Sequence, residues 1–245
     1  MQQNVVAESL ALVAQIRDFF RQQQELYGDD IFLDFNPQEL GLSSSEKKRI
    51  KLLSLYFQVK ECHHCQLAKT RKQLVFGSGD STSPILLIGE APGATEDEQG
   101  RPFVGEAGKL LDKILAAIKL TRSEVFVTNV VKCRPPANRD PQPEEITACA
   151  SILKQQVDIL QPKFILILGR IAAQSLLKTT QPLRELRGQA VDLFEAKAVV
   201  TYHPAALLRE PGLKRSTWED VQLFQQLFKE SSVISNGRRE GNKKN

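Results

Sequence analysis

The sequence has no long hydrophobic run and no recognisable export signal. Its longest apolar runs, at 85–88 and 164–168, are far too short to span a bilayer. Residues 1–12 also lack a basic segment followed by an apolar one. We therefore expect a cytoplasmic protein with no membrane partner.

Common phosphate-binding motifs are missing as well. Neither a G-x-G-x-x-G loop nor a Walker A lysine loop is present, so binding of a nucleotide cofactor or a triphosphate has no motif support. There are no internal repeats, and 245 residues favour one catalytic core with appendages. The net charge of +4 fits a polyanionic partner, but many proteins that never bind nucleic acid carry a similar charge.

Cysteine is scarce, and its spacing is informative. The four cysteines are Cys62, Cys65, Cys133 and Cys149. Reducing conditions in the cytosol disfavour disulfides, which leaves metal ligation or simple burial. Four thiolates suit either tetrahedral zinc or a 4Fe-4S cluster. One C-x2-C pair with two dispersed cysteines is more typical of a cluster at the edge of a domain, whereas zinc ribbons usually have two such pairs. The neighbouring His63 and His64 are interpreted as bystanders.

Short apolar runs alternate with helical patterns through the middle of the chain. Strands are predicted at 85–88, 125–128, 164–168 and 198–202, and helices at 106–119, 143–160, 170–177 and 217–229. This alternation predicts an α/β fold with three α/β/α layers around a central, mostly parallel four-stranded sheet.

The two ends of the chain differ from this core. Residues 1–45 are predicted to form an N-terminal helical extension, with an amphipathic helix over 5–26 and then a linker. The core domain is assigned to 46–230, and its first helix to 46–59. The basic, polar segment 231–245 is predicted to be a disordered tail.

Ligands of parallel α/β sheets bind beyond the carboxyl ends of the strands, so the loops there carry the candidate residues. The first loop contains Gly89-Glu90-Ala91-Pro92-Gly93, then Glu96 and Phe103. Glu90 could orient water or stabilise positive charge on a sugar, although acids at such positions also cap helices and turns. Phe103 could equally be a core residue.

Two further loops offer polar groups that could recognise a base. The Asn129 amide could read a base edge or satisfy the loop backbone, and Asn138 is a second substrate-binding candidate. His203 could donate to an oxygen that becomes negative, or be a structural histidine. The following tip, Leu207, Leu208 and Arg209, has the composition of a wedge that opens a base step while the arginine meets phosphate.

Taken in order, these motifs resemble the family 4 uracil-DNA glycosylases, the iron–sulfur branch of the uracil-DNA glycosylase superfamily, over roughly 60–229. The resemblance implies that the four cysteines ligate a 4Fe-4S cluster with a mainly structural role. It also implies the pocket roles: Glu90 is catalytic, Phe103 stacks on a flipped uracil, Asn129 reads its edge and His203 stabilises the departing base.

The implied activity is excision of uracil from single- or double-stranded DNA, which leaves an abasic site. No lysine is clearly placed for a Schiff base, so we expect a monofunctional enzyme, and we expect a monomer. Gly93 stands where better-known relatives have a tyrosine that excludes thymine, and we hypothesise that Glu96 fills that space. The alternatives are a non-catalytic iron–sulfur or zinc module that binds nucleic acid, and an electron-transfer protein.

Overall fold

The computed structural model describes residues 43–241, and within that range the side chains up to residue 230. The predicted helix over 5–26 and most of the predicted N-terminal extension lie outside the described residues. The described residues from 48 onward belong to one compact unit, which holds the sheet and its covering helices.

Helices and strands alternate as the sequence predicts. The helices are α1 (Ser44–Val59), α2 (Ala94–Gln99), α3 (Glu106–Ala117), α4 (Pro143–Leu160), α5 (Arg170–Leu177), α6 (Leu183–Leu186), α7 (Pro204–Arg209) and α8 (Lys214–Gly241). The strands are β1 (Ser78–Gly79), β2 (Ile85–Gly89), β3 (Phe126–Asn129), β4 (Phe164–Leu168), β5 (Ala190–Leu193) and β6 (Ala196–Thr201). Within 43–241, no helix has the length and apolar character needed to cross a membrane.

The sheet has six strands rather than the predicted four. Its order is β1-β3-β2-β4-β6-β5, and the four predicted strands form a parallel centre. The edge strands β1 and β5 pair antiparallel to this centre. Sequence reasoning missed both edge strands because neither forms an apolar run: β1 has only two residues, and β5 has four residues that alternate between exposed and half-buried positions.

Two hydrophobic cores on opposite faces of the sheet confirm the three-layer α/β/α class. One core joins α1, α4, α5 and α6 to the sheet through side chains such as Leu55, Leu153 and Ile167. The other joins α3 and α8 to the opposite face through side chains such as Leu111 and Phe224. Strands β2, β3 and β4 are buried along their whole length, as expected of strands covered on both faces.

The last helix is longer than predicted. The sequence interpretation ended it at Lys229 and assigned 231–245 to a disordered tail, but α8 continues through Gly241. No proline occurs after Lys229, and Gly237 is a weak helix former rather than an absolute stop. Residues 242–245 lie outside the described residues.

Candidate active site

A cavity of about 310 Å³ opens at the carboxyl ends of β2, β3 and β6. Its size is at the lower end of the range of about 300–1,000 Å³ that is typical of small-ligand pockets. Its walls include nine of the predicted site residues: Glu90, Ala91, Gly93, Glu96, Phe103, Asn129, Asn138, His203 and Arg209. The chain thus brings together residues that are up to 119 positions apart, as the strand-end rule predicts.

Strand register places the first two polar groups side by side. Gly89 of β2 is the direct partner of Asn129 of β3 in the parallel ladder. The pairing continues past the strand ends, where Val130 N donates to Gly89 O at 2.9 Å and Val131 N donates to Glu90 O at 3.0 Å. The Glu90 carboxylate and the Asn129 amide are therefore held on adjacent, hydrogen-bonded backbones.

Glu90 has the electrostatic environment of a tuned carboxylate. Burial, and then the negative charge of Asp140, raise the pKa of Glu90 to about 7, while Arg170 and Arg209 act in the opposite direction. Asp140 is itself paired with Arg170, with Nη2 and Oδ2 2.6 Å apart. A carboxyl group with a pKa near neutrality can exchange a proton with water under physiological conditions.

The side-chain oxygen of Asn129 is a hydrogen-bond acceptor without a partner in the described protein. The residue is 1% exposed, and its Oδ1 is buried without a hydrogen-bond partner. A Cβ atom added at Gly89 would lie 2.5 Å from this oxygen, so only glycine leaves the amide its space. Buried polar side chains are nearly always paired, which makes the unpaired oxygen in a cavity wall a strong sign of ligand recognition.

Phe103 is held in a constrained position. Its φ angle is 53°, in the left-handed region that non-glycine residues seldom adopt. Its ring occupies the space that a Cβ at Gly89 would fill, 2.6 Å from the ring Cζ, and its carbonyl lies 1.9 Å from the Cβ position of Gly108. The ring centroid is 5.4 Å from that of His203 with an interplanar angle of 32°. Phe103 is thus a wall of the cavity as well as a core residue.

The orientation of His203 defines which nitrogen can donate. His203 is the N-cap of α7, and its Nδ1 accepts a hydrogen bond from Ala205 N at 3.2 Å. In the neutral ring the proton must then be on Nε2. Burial, and then Arg209, lower the pKa of His203 to about 4, so the imidazole is neutral at physiological pH. A Cβ at Gly169 would lie 2.9 Å from His203 Cβ, so glycine at the end of β4 makes room for it.

Glu96 links two parts of the first loop. Its Oε1 accepts hydrogen bonds from Val104 N at 2.9 Å and Gly105 N at 2.8 Å. Its Oε2 lies 2.8 Å from the position of a Cβ at Gly93. The carboxylate therefore occupies the space beside Gly93 and also fixes the backbone that follows Phe103.

The predicted DNA-contacting tip divides into a buried and an exposed part. Leu208 is 48% exposed and Arg209 reaches the cavity, but Leu207 is 2% exposed. The assignment of Leu207 to DNA contact is therefore corrected: successive residues of a helix point in different directions, and α7 is turned so that Leu207 faces the core while Leu208 faces outward. Asn138 lines the cavity, and its Oδ1 accepts from Arg134 Nε at 2.7 Å.

Sequence reasoning missed two charged residues that act on Glu90. Asp140 lies only two residues after the candidate Asn138, and Arg170 follows Gly169 at the end of β4. The strand-end rule also pointed to the loop after β4, but no candidate residue was assigned there because Arg170 is the first residue of a helix and not part of the loop. Their pairing across 30 residues could only be found from the fold.

The four cysteines line one separate small cavity, together with His64 and Arg71. Two donors approach their sulfur atoms: Arg71 Nη1 is 3.2 Å from Cys133 Sγ, and Lys132 N is 3.3 Å from Cys149 Sγ. Such N–H contacts are typical around ligating thiolates. No group of three or more His, Cys, Asp or Glu side chains in the described part of the chain is arranged to hold a metal ion.

Comparison with known proteins identifies the family of the chain. A family model of the uracil DNA glycosylase superfamily matches residues 76–227. A type-4 uracil-DNA glycosylase of Pyrobaculum aerophilum is 42% identical over 181 residues, which are 71% of this chain and 92% of that relative. One of Thermotoga maritima is 39% identical over 176 residues, or 70% and 92%. A type-5 uracil-DNA glycosylase of Thermus thermophilus is 36% identical over 129 residues, or 44% and 58%. The chain belongs to the uracil-DNA glycosylase superfamily, and within it to the type-4 enzymes.

Proposed function

We propose that the cavity beyond β2, β3 and β6 binds a uracil flipped out of DNA and that its walls hydrolyse the N-glycosidic bond. The observation that carries this proposal is the buried, unpaired Oδ1 of Asn129, a residue that lines one cavity together with Phe103, His203 and Glu90. A binding module that only grips DNA has no need for an orphaned acceptor in so restricted a space.

Recognition of the base follows from the chemistry of the amide. Asn129 Oδ1 can accept from uracil N3–H while Nδ2 donates to O4, which pairs the edge of uracil but not that of cytosine. The Phe103 ring supplies a stacking surface, and base–aromatic stacking contributes about 1–3 kcal/mol. Together these contacts offset part of the cost of flipping, which is roughly a few kcal/mol.

Cleavage requires charge stabilisation on both sides of the bond. When the bond between C1′ and N1 breaks, its electron pair leaves with the base and positive charge develops on the sugar. Neutral His203 donates its Nε2 proton in a hydrogen bond to the uracil oxygen that becomes negative. Glu90 accepts a proton from the water that attacks C1′, a role that its pKa of about 7 fits. The departing uracil anion takes up a proton from solvent, and the products are free uracil and an abasic site.

The DNA contact is assigned to α7. Exposed Leu208 is the wedge that occupies the space left by the flipped base, and Arg209 meets a backbone phosphate. Neither contact requires a second strand, so we expect activity on both single- and double-stranded DNA.

The donor set that the described residues give the cysteine cavity, four thiols and no carboxylate, suits a 4Fe-4S cluster. A single zinc ion needs four sulfurs at about 2.3 Å from one point, whereas a cluster gives each thiolate its own iron. The dispersed cysteines and the two N–H donors near their sulfur atoms favour the cluster. When bound, the cluster supplies a cross-link between the segment of Cys62 and Cys65, the loop of Cys133 and helix α4.

The test is release of free uracil from a uracil-containing oligonucleotide by protein purified anaerobically. We expect release from single- and double-stranded substrates, none from a thymine-containing oligonucleotide, and none by the Glu90→Ala variant. If folded, iron-loaded protein binds these oligonucleotides but releases no uracil, the binding-module interpretation replaces the proposal.

Glu96→Ala tests how thymine is excluded. Removing the carboxylate empties the space beside Gly93 and frees the two N–H groups after Phe103, so we expect measurable thymine release and weaker uracil release. Glu98→Ala is the matched control, because Glu98 is an exposed acid on the same short helix. Selectivity that stays at the wild-type level in Glu96→Ala would refute this role.

Cys149→Ser tests the cluster. We expect anaerobically purified wild type to contain iron and acid-labile sulfide, and the variant to lose both and to unfold at a lower temperature, since metal binding contributes to folding. His64→Ala, in the same cavity, should keep its iron. Stoichiometric zinc in place of iron, or unchanged iron in Cys149→Ser, would contradict the assignment.

A further inference from the structure

Arg122 contacts the backbone and the ring of Phe103. It begins the short 3-10 turn Arg122–Glu124 that leads into β3. Its Nη2 donates to both Pro102 O and Phe103 O, each at 2.9 Å, and its guanidinium carbon lies 6.0 Å from the Phe103 ring centroid. Nε pairs with Asp112 Oδ1 on α3 at 3.3 Å. The arginine thus reaches Phe103 from outside the cavity.

The Phe103 backbone needs such an anchor. A phenylalanine at a φ angle of 53° is strained, and it persists only where its surroundings hold it. The lack of a side chain at Gly89 and at Gly108 leaves space for the Phe103 ring and carbonyl, but it provides no attractive contact that holds them there. On the other side, Glu96 binds the N–H groups of residues 104 and 105. Arg122 supplies the matching donors to the carbonyls of residues 102 and 103.

Arg122 is not arranged for maximum stability. Its Nη1 is buried without a partner, and burial lowers the pKa of its guanidinium. A buried donor left unpaired costs free energy, so an arginine present only to stabilise the fold would be expected to pair all its donors. Among the described residues, the segment of Phe103 receives two charge-assisted hydrogen bonds and a ring contact from Arg122.

We propose that Arg122 is a positioning residue that holds Phe103 in the geometry required to stack on the flipped uracil. The inference rests on the stacking role of Phe103 in the proposed function. In this role Arg122 contacts no part of the substrate and acts by fixing the backbone of Phe103 before the base binds. Because that backbone is already ordered, the entropic cost of ordering it does not reduce the affinity for the base.

A double-mutant cycle tests this assignment. Phe103→Leu, Arg122→Met and the double variant are compared with wild type for inhibition by free uracil and for KM and kcat on a single-stranded uracil oligonucleotide. We expect each single variant to weaken inhibition by uracil about tenfold, the scale of one charge-assisted contact. The double variant should be no weaker than Phe103→Leu, because Arg122 has nothing to position once the ring is gone.

Two further variants keep the test independent of folding. Asp112→Asn removes the ion pair that orients Arg122 and should weaken inhibition by uracil in the same direction but less. Arg215→Met, which removes an exposed arginine on α8, should leave inhibition unchanged. If Arg122→Met does not fold, Asp112→Asn takes its place in the cycle with Phe103→Leu.

The outcomes separate the inference from the function on which it rests. If Phe103→Leu weakens inhibition by uracil but the Arg122 effect is absent, or adds fully to that of Phe103→Leu, the positioning role is wrong and stacking stands. If Phe103→Leu itself leaves inhibition unchanged while the wild type still excises uracil, stacking is wrong and the role of Arg122 falls with it.

Discussion

Replacing Glu90 by glutamine is expected to lower kcat for uracil release on the order of 10²- to 10³-fold, the scale of losing one well-placed electrostatic group. Glutamine keeps the size of the side chain and its place at the end of β2, but it can neither accept a proton nor carry negative charge beside the sugar. KM should change little, because Asn129 and Phe103 make the contacts to the base.

The pH dependence makes this prediction sharper. With a pKa of about 7 in the free enzyme, Glu90 gains its charge between roughly pH 6 and 8, so wild-type kcat/KM should rise through that interval and then level off. His203 does not titrate there, since its pKa is about 4. The residual activity of Glu90→Gln should show no such rise. A rise that persists in the variant would assign the titration to another group.

The raised pKa of Glu90 also predicts how the stability of the fold changes with pH. The folded state binds the Glu90 proton more tightly than the unfolded state does, so wild type loses stability as pH rises from about 4.5 to about 7. Glu90→Gln avoids this loss, and its free energy of unfolding should exceed that of wild type at pH 8 but not at pH 4. Chemical denaturation at both values measures this, with the exposed Glu98→Gln as control.

Much of the site could be predicted because it lies at strand ends. Runs such as Ile85–Ile88 mark buried parallel strands, and the carboxyl ends of such strands meet at one edge of the sheet. This placed Glu90, Asn129 and His203 in one cavity before any contact was known, and the family resemblance supplied their individual roles. The fold class followed from the same alternation of strands and helices.

The missed features all depend on contacts between distant segments. Arg122 and Arg170 look like ordinary surface arginines in the sequence, and only the folded chain brings one to Phe103 and the other to Asp140. The two-residue strand β1 exists because Ser78 and Gly79 pair with Val127 and Phe126, not because of its own composition. Burial of Leu207 instead of Leu208 depends on how α7 is rotated against its neighbours.

Asn129→Leu should separate activity from stability most clearly. Leucine has nearly the shape of asparagine but neither pairs uracil N3–H nor donates to O4, so both groups of the bound base would be buried unpaired. At about 1–3 kcal/mol for each unpaired group, kcat/KM for uracil release should fall on the order of 10³-fold. The hydrogen bond that the Lys132 side chain donates from Nζ to the backbone Asn129 O does not involve the Asn129 side-chain amide and should remain.

The stability of the free enzyme should not fall with the activity of Asn129→Leu. Wild type already buries Asn129 Oδ1 without a partner, and leucine removes that cost, so the free energy of unfolding should stay level or rise by up to about 1–3 kcal/mol. Thr201→Val is the matched control at the end of β6: its hydroxyl donates to Asp220 Oδ2 at 2.9 Å, so its loss should destabilise the fold and spare most activity. If Asn129→Leu instead lost stability as Thr201→Val does, the amide would be paired in solution, and the unpaired oxygen could no longer be interpreted as the acceptor reserved for uracil.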